Sequence, residues 1–253
     1  MRAAERKSAR DVRHSSRRRG AQLRLALVAA GVIVVLVACG ALYQSSLCTI
    51  TRVEVVGVTH LSVDAVRALA KVPPDATLIR FPAQAVASRV ASDPWVAAVS
   101  VSRVFPDGMR IRITERVPVA VVVSRPASWL IDGTGFVVAR AAKGATATMP
   151  AIMDVPGLDL KAGRRTASEP LLNAVKVLSG LSDTLRAMVL TVSAPSIDGT
   201  TLLTKDRVEI VIGEAVSLPT KDVLALKILR EQRGKVVSID VRTIDAPTWR
   251  GLK

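Results

Sequence analysis

The sequence predicts an α+β chain with one transmembrane helix ahead of a β-α-α-β-β domain and a second, mostly antiparallel α+β domain. Three observations carry this: an uncharged aliphatic run from Leu25 to Tyr43, a strand-helix-helix-strand-strand succession from Ile50 to about Val117, and alternating strand patterns with helical stripes from Val119 to Val241. The 253 residues are 49% hydrophobic but only 3% aromatic, so the apolar mass is aliphatic and suffices for folded cores. The net charge is +15, and Met1 to Arg24 alone holds nine Lys/Arg against Glu5 and Asp11. The high overall charge is therefore partly a property of the tail. The two cysteines, Cys39 and Cys48, both lie near the start, which leaves the body no disulfide framework and no Cys-rich metal site.

The nineteen uncharged residues from Leu25 to Tyr43 precede a next charge at Arg52. As a helix they would span ~28 Å, near the ~30 Å of a bilayer's hydrocarbon core. Ten of them are Leu, Ile or Val, which favours insertion by about 3 to 6 kcal/mol. The predicted organisation is a basic cytoplasmic tail (1–24), then a transmembrane helix (25–47). Arg17, Arg18, Arg19 and Arg24 act as topology determinants that keep the N-terminus in the cytoplasm and place the rest of the chain outside. Leu36-Val37-Ala38-Cys39 resembles a lipobox, but the apolar run continues through Gly40-Ala41-Leu42-Tyr43 and is longer than a signal-peptide core. No aromatic residue interleaves with Arg17-Arg18-Arg19, so the tail does not read as a nucleic-acid binder.

The next domain is expected over 50–118. Ile50 to Val58 is β-branched and reads as a strand. Ser62 is a helix N-cap, with Leu61 and Val66 at the staple positions, Asp64 in the first turn, and Pro73-Pro74 as the stop. A second short helix is expected from Pro82 to Val90. Val99 and Val101 then alternate with serines, Pro106-Asp107-Gly108 turns the chain, and Met109, Ile111 and Ile113 alternate with Arg110 and Arg112. Arg103, Arg110 and Arg112 are expected to form a basic face, most simply a solvated one.

The last domain is expected over 119–253. Val119 to Val123 and Leu130 to Val138 flank a turn on Asp132-Gly133-Thr134-Gly135 and read as paired strands. Leu171, Leu172, Val175 and Leu178 form a helical stripe, Met188 to Val192 is strand-like, and Asp198-Gly199 is a hairpin signal. Val208, Ile210 and Ile212 alternate. Thr220 is expected to cap a helix from Lys221 to about Arg233, with Val223, Leu226 and Leu229 or Arg230 on its face. Val237, Ile239 and Val241 form the closing strand, with Ser238, Asp240 and Arg242 on its other side.

The run Asp93-Pro94-Trp95-Val96, Val99 to Gly108 and Ile111 to Ala120 resembles the POTRA domain of the FtsQ/DivIB cell-division family. Trp129 to Phe136 is similar to that family's Asp-x-x-Gly hairpin, Met149-Pro150 to its Leu-Pro segment, and Val236 to Arg242 to its last well-defined strand. The resemblance implies a POTRA domain followed by a β-domain, with a single-pass anchor in the inner membrane and concentration at the division septum. It also implies that the C-terminal sheet edge receives a small coiled-coil division protein of the FtsB/DivIC type. An FtsL-type protein, a synthase of the FtsW/FtsI type and an FtsK-type protein are further expected partners. Carried over, the contact falls on Val236, Val237, Ser238, Ile239, Asp240, Val241 and Arg242, with Asp240 and Arg242 supplying polar selectivity.

No catalytic site, cofactor or metal is expected. His14 lies in the tail and His60 before the first helix, and both cysteines lie in or beside the apolar run, so no Cys-His pair or zinc cluster is available to the body. There is no Ser-x-x-Lys motif. The rival readings are a membrane-anchored envelope hydrolase built on a Ser-Lys pair and a POTRA-bearing transport or assembly component. Binding through a sheet edge remains the leading expectation.

Overall fold

The computed structural model describes residues 27–41, 49–74 and 76–251. Residues 27–41 are helical and exposed throughout, and no helix among the described residues is long and apolar enough to cross a membrane. The expected span of 25–47 extends past this helix at both ends, beyond the described residues. Arg17, Arg18, Arg19, Arg24 and Cys48 also lie outside them.

The first folded region runs β1 (Arg52–Val56), α1 (Val63–Ala70), α2 (Ala83–Ala91), β2 (Val96–Val104) and β3 (Gly108–Glu115), with sheet order β1-β3-β2. Ser62 caps α1 as its sequence signature predicts, its Oγ accepting the Ala65 N–H at 3.1 Å. The helix ends at Lys71, whose left-handed φ of 44° lets its N–H reach the Arg67 carbonyl before Pro73. Glu115 fixes the loop that enters α1 by accepting the N–H groups of His60 at 2.7 Å and Leu61 at 2.8 Å. Burial raises the Glu115 pKa, but these amides, that of Thr59 and the nearby His60 charge outweigh it and hold the carboxyl below its ordinary value. Ser62→Ala is expected to cost about 1 kcal/mol, the usual loss of an N-cap. A lower thermal midpoint for Ser62→Ala, restored by Ser62→Asp, is the check.

Contact density divides the described chain into two units. One holds residues up to Glu54 with 72–83 and 102–110, and buries Leu78, Phe81 and Met109. The other holds 55–71, 84–101 and everything from Ile111 on; its buried side chains include Val66, Val86, Val90, Ile111 and Ile113. The expected basic face does not form. The Arg103 guanidinium donates to the carbonyls of Leu78 and Phe81, and Arg110 Nε lies 2.8 Å from Glu54. Backbone carbonyls and a carboxylate within reach claim these two cations, and of the three arginines only the exposed Arg112 has no such partner among the described residues.

The second sheet is built from β4 (Pro118–Val123), β5 (Ser128–Asp132), β6 (Phe136–Arg140), β7 (Ala151–Met153), β8 (Arg164–Arg165), β9 (Val189–Ser193), β10 (Thr201–Thr204), β11 (Glu209–Val211), β12 (Val236–Asp240) and β13 (Thr248–Gly251). Its order is β13-β12-β11-β10-β9-β7-β4-β5-β6-β8, with six antiparallel and three parallel pairings. Three helices accompany it: α3 (Glu169–Gly180), α4 (Asp183–Met188) and α5 (Leu218–Glu231). Ser168 caps α3 and Pro170 sits in its first turn, after which Leu171, Ala174, Val175, Val177 and Leu178 are buried. They join Ala120, Ile131, Ile152, Leu202, Ile210 and Ile239 in one hydrophobic cluster. Each of the Val, Leu and Ile side chains contributes about 1.5 to 3 kcal/mol by leaving water.

The turn between β5 and β6 is organised by Asp132, whose Oδ1 accepts from Thr134 N at 2.8 Å, Phe136 N at 3.0 Å and Thr134 Oγ1 at 2.7 Å. Gly135 follows at φ +80°, and a Cβ there would lie 2.4 Å from Leu172 Cδ2, so both backbone and space require glycine.

The structure corrects the reading of α5. The helix starts at Leu218, three residues before the expected Lys221, and its N-cap is Ser217 rather than Thr220. Pro219 explains the early start, because a first turn accepts proline's fixed φ and missing N–H. The buried face is Leu218, Lys221, Asp222, Ala225 and Ile228, while Val223 is 63% exposed. This rotation is possible because the two buried polar residues find partners: Lys221 Nζ donates to carbonyls, and Asp222 Oδ1 accepts the Ser182 N–H at 3.0 Å.

Candidate partner-binding edge

The expected binding strand, β12, lies one position in from the end of the sheet. On one side it runs parallel to β11, pairing Glu209 with Ser238, Ile210 with Ile239 and Val211 with Asp240. On the other it meets β13 antiparallel, pairing Ser238 with Arg250, Ile239 with Trp249 and Asp240 with Thr248. Val241 N continues the ladder to Val211 O at 3.0 Å. The backbone from Ser238 to Asp240, the middle of the expected segment, is thus engaged on both sides, and the open rim expected there belongs to β13. Among the described residues no strand covers the outer side of β13.

Side chains along the segment divide accordingly. Val236, Ile239 and Val241 are buried, Val237 and Ser238 are half-buried, and Asp240 pairs with Arg242. Arg242 Nη2 approaches Asp240 Oδ2 at 2.6 Å and Nε reaches both carboxylate oxygens at 3.1 Å, while the Arg242 N–H caps Oδ1 at 3.0 Å. The Arg242 contact is the main reason the Asp240 carboxyl sits below its ordinary pKa. The two residues expected to give polar selectivity therefore present one neutralised pair rather than two free charges.

Lys221 sits beneath this end of the sheet, 5% exposed, donating to Ile212 O at 2.8 Å and Glu214 O at 2.9 Å. Desolvation pushes its pKa down, and Glu214 and Asp240 partly restore it. Its role is to tie the β11–α5 loop to the first turn of α5. Asn173 on α3 holds the same loop, its Nδ2 donating to Thr200 Oγ1 at 2.8 Å and Gly213 O at 3.0 Å, and its Oδ1 accepting Ala215 N at 2.8 Å. A concavity of about 290 Å³ lined by Asp198, Glu214, Ser217, Lys221 and Arg242 opens beside these groups. Ser217 and Lys221 share it, but the lysine's hydrogen bonds go to backbone carbonyls. No cluster of three or more potential metal ligands occurs among the described residues.

β13 itself was not foreseen. It is four residues long, mostly exposed, and carries one large apolar side chain, Trp249, at 48% exposure. The available signal was a lone tryptophan flanked by Thr248 and Arg250 just after Pro247.

Comparison with known proteins gives this geometry a setting. The family model for the POTRA domain, FtsQ-type, matches residues 48–116. Over 234 residues the chain is 30% identical to a Mycobacterium tuberculosis protein named Cell division protein FtsQ, covering 91% of this chain and 70% of that one. The chain belongs to the FtsQ family. Other FtsQ relatives come from Mycolicibacterium smegmatis, 33% identical over 89% of this chain, and Syntrophotalea carbinolica, 29% identical over 71%. The chain spans 65% and 64% of the length of those two FtsQ proteins, a little under two thirds. The FtsQ-type POTRA match takes in every element from β1 to β3.

Proposed function

We propose that this chain is a non-catalytic, bitopic scaffold of the bacterial division septum. In this reading the tail 1–24 is cytoplasmic, 25–47 crosses the inner membrane, and the POTRA domain (50–118) and β-domain (119–253) lie outside. The outer rim of β13 receives an extended segment of an FtsB/DivIC-type coiled-coil protein, with an FtsL-type protein alongside; FtsW/FtsI-type and FtsK-type proteins complete the assembly. The observation that carries this is the uncovered edge of a ten-stranded sheet, with Trp249 exposed upon it. An edge strand offers unpaired N–H and C=O groups, and an added strand satisfies them while alternating side chains select it. Val236 to Arg242 then acts as the supporting strand, with Ile239 directly opposite Trp249. Anchoring in a shared membrane raises the effective concentration of partners, so modest affinity suffices.

Deleting from Val236 onward would be a poor test, since it removes buried Val236, Ile239 and Val241. Two finer variants of the full chain serve better: a stop after Pro247, and Trp249→Ala. Both are expected to weaken capture of the purified coiled-coil partner at least tenfold, in line with loss of an aromatic anchor, with thermal stability largely kept. Capture that is unchanged or tighter after removal of β13 would reject the rim as the platform.

A further inference from the structure

Three stretches of chain meet where the POTRA domain follows the apolar segment. Ile50 N donates to Ala76 O at 2.9 Å, Thr49 and Thr77 form a bridge, and Thr51 N and Arg52 N donate to Asp107 O at 3.0 and 3.3 Å. Thr51 Oγ1 also bonds the Asp107 carboxylate. All these residues fall in one compact unit together with helix 27–41. The β2–β3 turn, Phe105-Pro106-Asp107, therefore lies beside Thr51 and Arg52.

That turn ends in an apolar group where turn chemistry calls for polar ones. Phe105 is 70% exposed, and Ile79, in the neighbouring stretch of the same unit, is 39% exposed. The same stretches carry the exposed Arg52 and Arg80, whose long stems suit an interface with an apolar and a polar layer. The distance is limited as well. Eight residue steps separate residue 41 from Thr49, and an extended chain covers at most ~29 Å in that many. Whatever holds the apolar helix holds this tip close by.

Resting on the membrane anchor proposed above, we infer that Phe105 and Ile79 form a membrane-seated tip. The ring and the sec-butyl side chain enter the outer interface of the phospholipid bilayer that holds the anchor, with the exposed Arg52 and Arg80 at the level of the headgroup phosphates. The tip gives the POTRA domain a second point of attachment. It turns a tethered domain into an oriented one.

The test uses the full chain in nanodiscs of phosphatidylethanolamine and phosphatidylglycerol, with Cys39→Ala and Cys48→Ser as background. Nitroxide labels are attached through Phe105→Cys, Ile79→Cys, Val34→Cys and Val223→Cys, one at a time. The ratio of collision with oxygen to collision with a water-soluble nickel chelate reports immersion. Positions 105 and 79 are expected to show a ratio at least roughly threefold above that at 223, as for interfacially seated residues. In a Phe105→Asp chain the ratio at 79 is expected to fall to the level of 223. Water-like ratios at 105 and 79 with an immersed 34 would overturn the seated tip and leave the anchor standing. A water-like ratio at 34 would overturn the anchor, and the tip with it.

Discussion

Asp132→Ala is expected to be the most damaging single substitution considered, at about 3 to 5 kcal/mol, because it leaves a buried guanidinium without its carboxylate. Arg116 Nη1 lies 2.8 Å from Asp132 Oδ2, and the two side chains are 17% and 7% exposed. The guanidinium also covers the Phe136 ring at 3.7 Å, so it cannot swing into water without uncovering that ring. The same substitution strips the N–H groups of Thr134 and Phe136 of their acceptor. Burial by itself raises the Asp132 pKa, but the Thr134 hydroxyl, Arg116 and the two amides outweigh it and hold the carboxyl below its ordinary value. A carboxyl whose pKa is lower folded than unfolded stabilises the fold above the unfolded value of about 4, and that contribution is lost as the pH falls through the folded value. Denaturant unfolding should therefore show a large gap between parent and variant at pH 7 that narrows below about pH 4. An equal gap at pH 3 and pH 7 would mean that the charge is not its source. Adding Arg116→Met to Asp132→Ala should recover part of the loss, since an apolar replacement removes the stranded cation.

Much of this architecture is legible from residue pattern because local rules and tertiary packing agree there. Ser62 and Asp64 announce α1, Met109, Ile111 and Ile113 announce the buried face of β3, and the stripe after Pro170 announces α3. The misses are places where the two part company. Lys221 and Asp222 lie off the face expected from Val223, Leu226 and Leu229 or Arg230, yet they are buried because the carbonyls of Ile212 and Glu214 and the amide of Ser182 are waiting for them. Sequence spacing carries no record of such partners. β7 and β8 are three and two residues long, too short for alternation to register. The candidate edge was half legible. The alternation of Val237, Ile239 and Val241 marks a strand, but its neighbours in the sheet are set by long-range pairing, and a four-residue strand with one apolar side chain supplies the rim instead. Asp132 was legible as a turn residue, whereas its ion pair with Arg116 depends on a strand placement that no local pattern encodes.

Asn173→Leu is expected to cost about 2 to 4 kcal/mol and to reach the proposed partner-binding edge without altering any residue in it. The side chain is 7% exposed and shares the branched four-heavy-atom skeleton of leucine, so the substitution keeps the shape while removing the hydrogen bonds. Ala215 N loses its acceptor, and Gly213 O and Thr200 Oγ1 lose a donor. A buried group left unpaired costs about 1 to 3 kcal/mol. Thr200 Oγ1 retains contacts to the Ser196 and Ile197 carbonyls, so the cost falls mainly on Gly213 and Ala215. Those two residues flank Glu214, whose carbonyl receives the buried Lys221, and a Cβ at Gly213 would stand 2.9 Å from Arg242 Cγ. Loosening the loop thus loosens the start of α5 and the end of β12 together. Hydrogen exchange separates this from a general loss of stability. The Ala215 amide should gain more exchange than global unfolding accounts for in Asn173→Leu, and less in Asn173→Asp, which keeps an acceptor at Oδ1. Equal protection of that amide in both variants would remove Asn173 as its partner. With the loop loosened, capture of the proposed coiled-coil partner should weaken in Asn173→Leu even where the protein is still folded, because β13 is only as well placed as the strand it is paired with.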